Sequence, residues 1–182
     1  MTQDIELFIA IAEIAGVFIG FGALISLTRR DSIELSQLGR LQAVVSIGLI
    51  VMVAALMPVG FSLYGLTNHD LWFVCSLIFL ILGWAMSLLA IRKAKYRKLM
   101  ADQMHDSPFI QMFFWLLLEA PIQISLILTI LGLYPDLKLA FYTTALLFHL
   151  FEAAFILAQI VYSQMSTSKK NDDPEEPNVI VH

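Results

Sequence analysis

The chain has 182 residues, of which 59% are hydrophobic and only 14% charged, with a formal net charge of −4. Soluble domains carry about 25% charged residues, and a nucleic-acid interface needs a basic stripe that an acidic chain does not supply. The composition therefore argues against a soluble domain and against a nucleic-acid partner.

The few charges sit in short clusters between long apolar runs, the pattern of a chain whose solvent is lipid. A helix needs about 20 apolar residues to cross the hydrocarbon. The first run that meets this covers roughly Leu7 to Thr28. The residues before it, Met1-Thr2-Gln3-Asp4-Ile5-Glu6, lack the basic start of a cleavable signal, and the first basic residue is Arg29. The run is therefore read as a permanent span. Within it Glu13, Gly16 and Gly20 recur at three- and four-residue steps and share one helix face. Gly16 and Gly20 also form a small-xxx-small pair, so that face is expected to be a packed one.

Asp31-Ser32-Ile33-Glu34 then reads as a helix start with Asp31 or Ser32 as cap, leading into a second span at roughly Leu41 to Leu66. Pro58 lies inside this span. It frees a backbone carbonyl one turn upstream, at Ala54, and is read as a packing kink. The third span covers roughly Leu71 to Ile91. It holds the single cysteine, Cys75, so no intrachain disulfide is available. Trp72, beside Asp70, reads as an interface anchor and Trp84 as a packing residue. A basic segment, Arg92 to Ser107, follows and is read as a topology signal.

The fourth span covers roughly Pro108 to Tyr134 and carries Gln111, Trp115, Glu119 and Gln123 at four-residue steps. Trp115 reads as packing. Pro121 frees a carbonyl around Leu117, beside Glu119. Only Pro135-Asp136-Leu137 separates it from the fifth span, Lys138 to Tyr162, so the two are expected to be antiparallel neighbours. In the fifth span His149, Glu152, Ile156 and Gln159 follow steps of three, four and three. The polar remainder, Ser163 to His182, cannot bury enough apolar surface to fold alone and is expected to be a disordered cytoplasmic tail.

The expected fold is an all-α integral membrane bundle of about five transmembrane helices, with one membrane domain over residues 1–162 and a tail over 163–182. Its orientation follows from the basic residues. Arg29, Arg30, Arg40, Arg92, Lys93, Lys95, Arg97, Lys98, Lys169 and Lys170 fall on one side, and only Lys138 falls on the other. Positive residues stay inside, so the N-terminus is expected outside and the C-terminus in the cytoplasm, in a plasma or bacterial inner membrane.

Three carboxylates and one imidazole lie within these spans: Glu13, Glu119, His149 and Glu152. An acidic residue at the centre of a span costs about 2.5–3.5 kcal/mol on insertion scales, so each is expected to face protein, water or a ligand. Counting from the hairpin, Gln123 and His149 fall about 16 Å below the turn, and Glu119 and Glu152 about 21–22 Å below it. Gln111 and Gln159 lie deeper. Glu13 lies six residues past Leu7 in its span, about 9 Å from the outer surface. Two carboxylates in one layer cannot both hold a charge cheaply, which is how a proton relay or cation site is built.

These groups make Glu13, Glu119, His149 and Glu152 the candidates for handling protons or a cation. Gln111, Gln123 and Gln159 support the polar seam, and Pro58 and Pro121 kink its helices. The expected function is a small channel- or transporter-like protein. The alternative is a non-catalytic scaffold or accessory subunit whose buried polar groups fix helix packing. One intramembrane histidine does not make a metal centre, and the chain shows neither a nucleophile-base pair nor a phosphate-binding loop, so neither catalysis nor a cofactor is expected. Membrane lipids are the expected surroundings. A chain this small commonly needs copies of itself to line a pore, which makes a homo-oligomer the expected assembly.

Overall fold

The computed structural model describes residues 2–28, 35–66, 68–92 and 108–172. Among the described residues there are five α-helices and no strand: α1 (Thr2–Thr28), α2 (Leu35–Leu63), α3 (Asn68–Arg92), α4 (Pro108–Leu131) and α5 (Lys138–Asp172). A short 3-10 turn, Pro135–Leu137, leads into α5. Four stretches are long and apolar enough to cross a membrane: Asp4–Leu27, Leu38–Leu63, His69–Leu89 and Pro135–Tyr162. The fifth helix of the expected set, α4, has 24 residues, and its portion Leu116–Leu131 is apolar. The chain is thus an all-α bundle built for lipid. Large apolar side chains such as Val17, Phe21, Leu24, Ile81, Leu117, Ile124 and Phe151 point outward, where only an apolar solvent would accept them together.

The elements begin and end for local reasons. The second helix stops at Leu63 rather than Leu66 because Gly65, at φ +82°, turns the chain left-handed; Leu66 N–H then closes onto the Phe61 carbonyl. The fourth stops at Leu131, three residues before the expected Tyr134. There Gly132 adopts φ +65° and donates its N–H to the Leu128 and Thr129 carbonyls. The fifth helix runs on to Asp172. Residues 163–172, expected as disordered tail, are therefore helical: no Pro or Gly interrupts them before Pro174, and adding residues to an existing helix is easy compared with nucleating one. The proposed cap at Asp31 to Glu34, all but Arg92 of the basic segment, and the tail from residue 173 lie outside the described residues, as do the side chains of Gln111 and Trp115.

Packing sets two helices at the centre. The second helix touches α1, α3 and α5, and α5 touches α1, α2, α3 and α4. One core joins all five, including Phe8, Ala15, Val51, Ala54, Cys75, Phe79, Ile122, Leu126, Tyr142 and Leu146. The first and second helices pack closely through glycine. A Cβ on Gly48 would lie 2.8 Å from Ile19 Cγ1 and 3.3 Å from the Ala15 carbonyl oxygen, so glycine is what lets these backbones meet. The expected shared face of Glu13, Gly16 and Gly20 is split. Gly16 packs toward Met52, Gly20 has open space around it, and Glu13 is exposed.

The fourth and fifth helices are neighbours joined by the tight turn and so run antiparallel, as their short link requires. At the same end Lys138 is buried and its Nζ lies 2.9 Å from His69 Nδ1. An ammonium has donors only, so in this contact Nδ1 serves as the acceptor. Gly132 backs this ring: a Cβ there would lie 3.1 Å from His69 Cε1. Gly132→Ala should therefore lower stability by about 1–2 kcal/mol from left-handed strain. A thermal unfolding midpoint unchanged from wild type would contradict this account of the turn.

Candidate functional site

Four of the polar groups that sequence spacing placed in facing stripes, Glu119, Gln123, His149 and Glu152, stand on α4 and α5, which pack against each other and against α3. In α4, Glu119 and Gln123 are one turn apart, so their side chains share a face. Gln123 Nε2 donates to Glu119 Oε1 at 2.6 Å. Trp84 of α3 donates its indole N–H to Gln123 Oε1 at 3.1 Å. Only this orientation of the amide satisfies both neighbours, because the flipped form would set an NH2 against the indole N–H. Helix direction explains how the pair meets. Side chains lean toward the N-terminus of their helix, so Trp84 reaches toward the hairpin end and Gln123 leans away from it.

In α5, Glu152 and His149 are three residues apart and both side chains are largely buried. His149 Nδ1 lies 3.9 Å from Glu152 Oε2, which is too long for a hydrogen bond. That nitrogen has no hydrogen-bond partner, and the ring is held instead by the edge-on contact with Phe79 of α3, 5.4 Å between centroids. Glu119 and Glu152 stand on neighbouring antiparallel helices, α4 and α5. With α4 ending at Leu131, Glu119 lies about 18 Å and Gln123 about 12 Å below the end of their helix, against about 21 Å for Glu152 and about 16 Å for His149. The two carboxylates still share a layer, because α4 side chains lean down and α5 side chains lean up.

The cluster is thus two carboxylates, one amide, one indole N–H and one imidazole. Gln123 fixes one oxygen of Glu119 and leaves the other open. Two acids in one layer hold a single negative charge more easily than two, and such a pair can accept a proton or attract a monovalent cation. Among the described residues no three His, Cys, Asp or Glu side chains are placed to hold a metal ion.

The remaining candidates stand apart. Glu13 is exposed on the outward side of α1. Gln159 is exposed. Pro121 borders an apolar groove of about 310 Å³ lined by Leu116, Leu117, Ile124, Leu128 and Phe141, not a polar pocket. Pro58 is buried and inside α2, and its freed carbonyl is used: Tyr142 donates its hydroxyl to the Ala54 oxygen at 2.7 Å.

Sequence reasoning missed three residues here. Trp84, read as packing, is a hydrogen-bond donor at the exposed edge of the site. Phe79 lies between Tyr142 and His149, with centroids 5.9 Å and 5.4 Å away. Tyr142 is fully buried and answers the Pro58 carbonyl. A signal for it was present: a carbonyl freed by proline inside lipid must find a donor, and Tyr142 is the one tyrosine within the interior of the fifth span.

Comparison with protein families, with curated proteins and with solved structures returns no match to this chain. What the site can do is decided by its chemistry alone.

Proposed function

We propose that this is a multi-pass membrane protein that handles protons or a monovalent cation through the seam between α3, α4 and α5. Glu119 is the central exchanging group, Glu152 is its partner acid, and His149 accepts or returns the proton beside Glu152. What supports this reading is that two carboxylates stand on the neighbouring antiparallel helices α4 and α5 at matching depth within the spans, where each alone would be costly. Gln123 and Trp84 orient the Glu119 carboxyl. Glu13 and Gln159 take no part in this seam. The test is flux in liposomes holding the purified protein. Wild type should move protons or a monovalent cation faster than protein-free liposomes, with a rate that changes with pH, and background rates at every pH would end the transport reading.

One observation favours a second reading. The chain Trp84 to Gln123 to Glu119 ties α3 to α4 and would do so in a protein that moves nothing. A scaffold or accessory subunit predicts that these groups matter for stability and not for flux.

The same proposal places the N-terminus outside and the C-terminus in the cytoplasm of a plasma or bacterial inner membrane, from the one-sided basic residues. Native Cys75 is buried and gives a quiet background. A membrane-impermeant thiol reagent applied to intact cells should label Asn68→Cys and spare Ala101→Cys, and the reverse pattern would invert the topology.

A further inference from the structure

We propose that the outward face of α1 is an interface between two copies of this chain, centred on a reciprocal hydrogen bond between their Glu13 carboxyl groups. Glu13 lies well inside the span Asp4–Leu27 yet is exposed on the bundle surface. It has no hydrogen-bond or ion-pair partner among the described residues. Around it the same side of the helix presents Ile9, Ile14, Val17, Phe21 and Leu24 to the outside. A carboxyl group set in such a face would meet hydrocarbon, which offers it neither donor nor acceptor. Something must cover it.

The chemistry favours a second copy. No span of this chain carries a lysine or arginine at its centre, so the chain holds no basic partner of its own at that depth. A membrane sets every copy in the same orientation, so a two-fold axis along the membrane normal brings Glu13 against Glu13 at one depth without further design. A carboxyl group that keeps its proton has one donor and one free acceptor, so two of them satisfy each other, and the patch is complementary to itself. The helices can also come close there. Ala10 precedes Glu13 by one turn and Gly20 follows it by two on the same exposed side, and nothing lies within 4 Å of where a Gly20 side chain would start. This interface does not depend on the transport reading.

The test measures self-association in liposomes, by energy transfer between donor- and acceptor-labelled copies, and by oxidative crosslinking. Wild type should transfer energy at high dilution in lipid. Val17→Cys, one turn from Glu13 on the exposed face, should give a disulfide-linked dimer, while Ile81→Cys on the outward side of α3 should not. Glu13→Leu should weaken association at least tenfold and abolish the Val17→Cys crosslink. Glu13→Gln should keep both, because two amides pair as two acids do. That variant separates loss of the hydrogen bond from loss of folding. Wild type that stays monomeric, Glu13→Leu that associates as well as wild type, or equal crosslinking through Ile81→Cys would each overturn the proposal. So would a synthetic apolar transmembrane peptide with one central lysine that binds the protein through Glu13 and displaces no second copy; that result would assign the face to a basic partner helix.

Discussion

Replacing Tyr142 by alanine is expected to lower the stability of the bundle by about 3 kcal/mol, and replacing it by phenylalanine by about 1–2 kcal/mol. The side chain is fully buried among Phe8, Trp72 and Phe79, with ring centroids between 5.6 Å and 6.1 Å. Truncating a buried aromatic residue costs about 3–5 kcal/mol in soluble cores. The lower end applies here, because lipid solvates apolar side chains as well as a protein interior does and only the lost packing contacts count. The phenylalanine variant keeps the ring and removes only the hydroxyl that serves Ala54. A buried carbonyl left without a donor costs about 1–3 kcal/mol, and the lower part of that range applies in a membrane, where the unfolded state also finds partners. The cause can be isolated with Pro58→Ala, which gives residue 58 an N–H aimed at the same carbonyl. In that background Tyr142→Phe should cost clearly less, so the two changes should be non-additive. Trp72 lies in the cluster and reports unfolding by fluorescence. Equal costs of Tyr142→Phe with and without Pro58 would refute the link between kink and hydroxyl.

This pairing marks where sequence alone stops. The all-helical class, four of the membrane-length apolar spans and the antiparallel hairpin were legible, because lipid imposes length and short links impose adjacency. The pairing of Glu119 with Gln123 on α4 and of His149 with Glu152 on α5 was legible too, since helical periodicity is a local quantity. The neighbours across helices were not. Nothing in the sequence says that Trp84 reaches Gln123, or that Tyr142 and not another donor serves Ala54, because those contacts depend on which faces of α2, α3 and α5 meet. Glu13 shows the same limit from the other direction. Its spacing with Gly16 and Gly20 suggested a packed face, but the packed face of α1 is the one carrying Phe8, Ile11, Ala12 and Ala15. That stripe is rotated about 100° per residue from Glu13 at Ala12, so a polar residue next in sequence to a core position can still point out of the bundle. The helical run past Tyr162 was missed for a different reason: polar composition argues against a self-sufficient fold, but it does not stop a helix that the bundle has already nucleated.

Glu119→Gln is expected to leave the folded bundle within about 1 kcal/mol of wild type while reducing flux to the level of protein-free liposomes. The structural half follows from the Gln123 contact. Gln123 Nε2 donates to a Glu119 oxygen at 2.6 Å, and the amide variant keeps a carbonyl oxygen in that place. Trp84 bonds to Gln123 and not to Glu119, so its hydrogen bond is untouched. The functional half follows from what an amide lacks. It takes up no proton, holds no negative charge for a cation, and leaves Glu152 without a second acid at its depth. Glu119→Leu is the complementary change. It leaves the Gln123 donor unpaired and should destabilise by about 1–2 kcal/mol, whichever function the seam serves. The pair of variants therefore separates the two readings by comparing two measurements on each protein. Glu119→Gln that is stable but silent in flux supports proton or cation handling. Glu119→Gln that is stable and transports as wild type removes Glu119 from the mechanism. If wild type itself moves nothing and only Glu119→Leu departs from normal, the seam is a structural tie between α3 and α4, and the hydrogen-bond chain from Trp84 accounts for it without any transport.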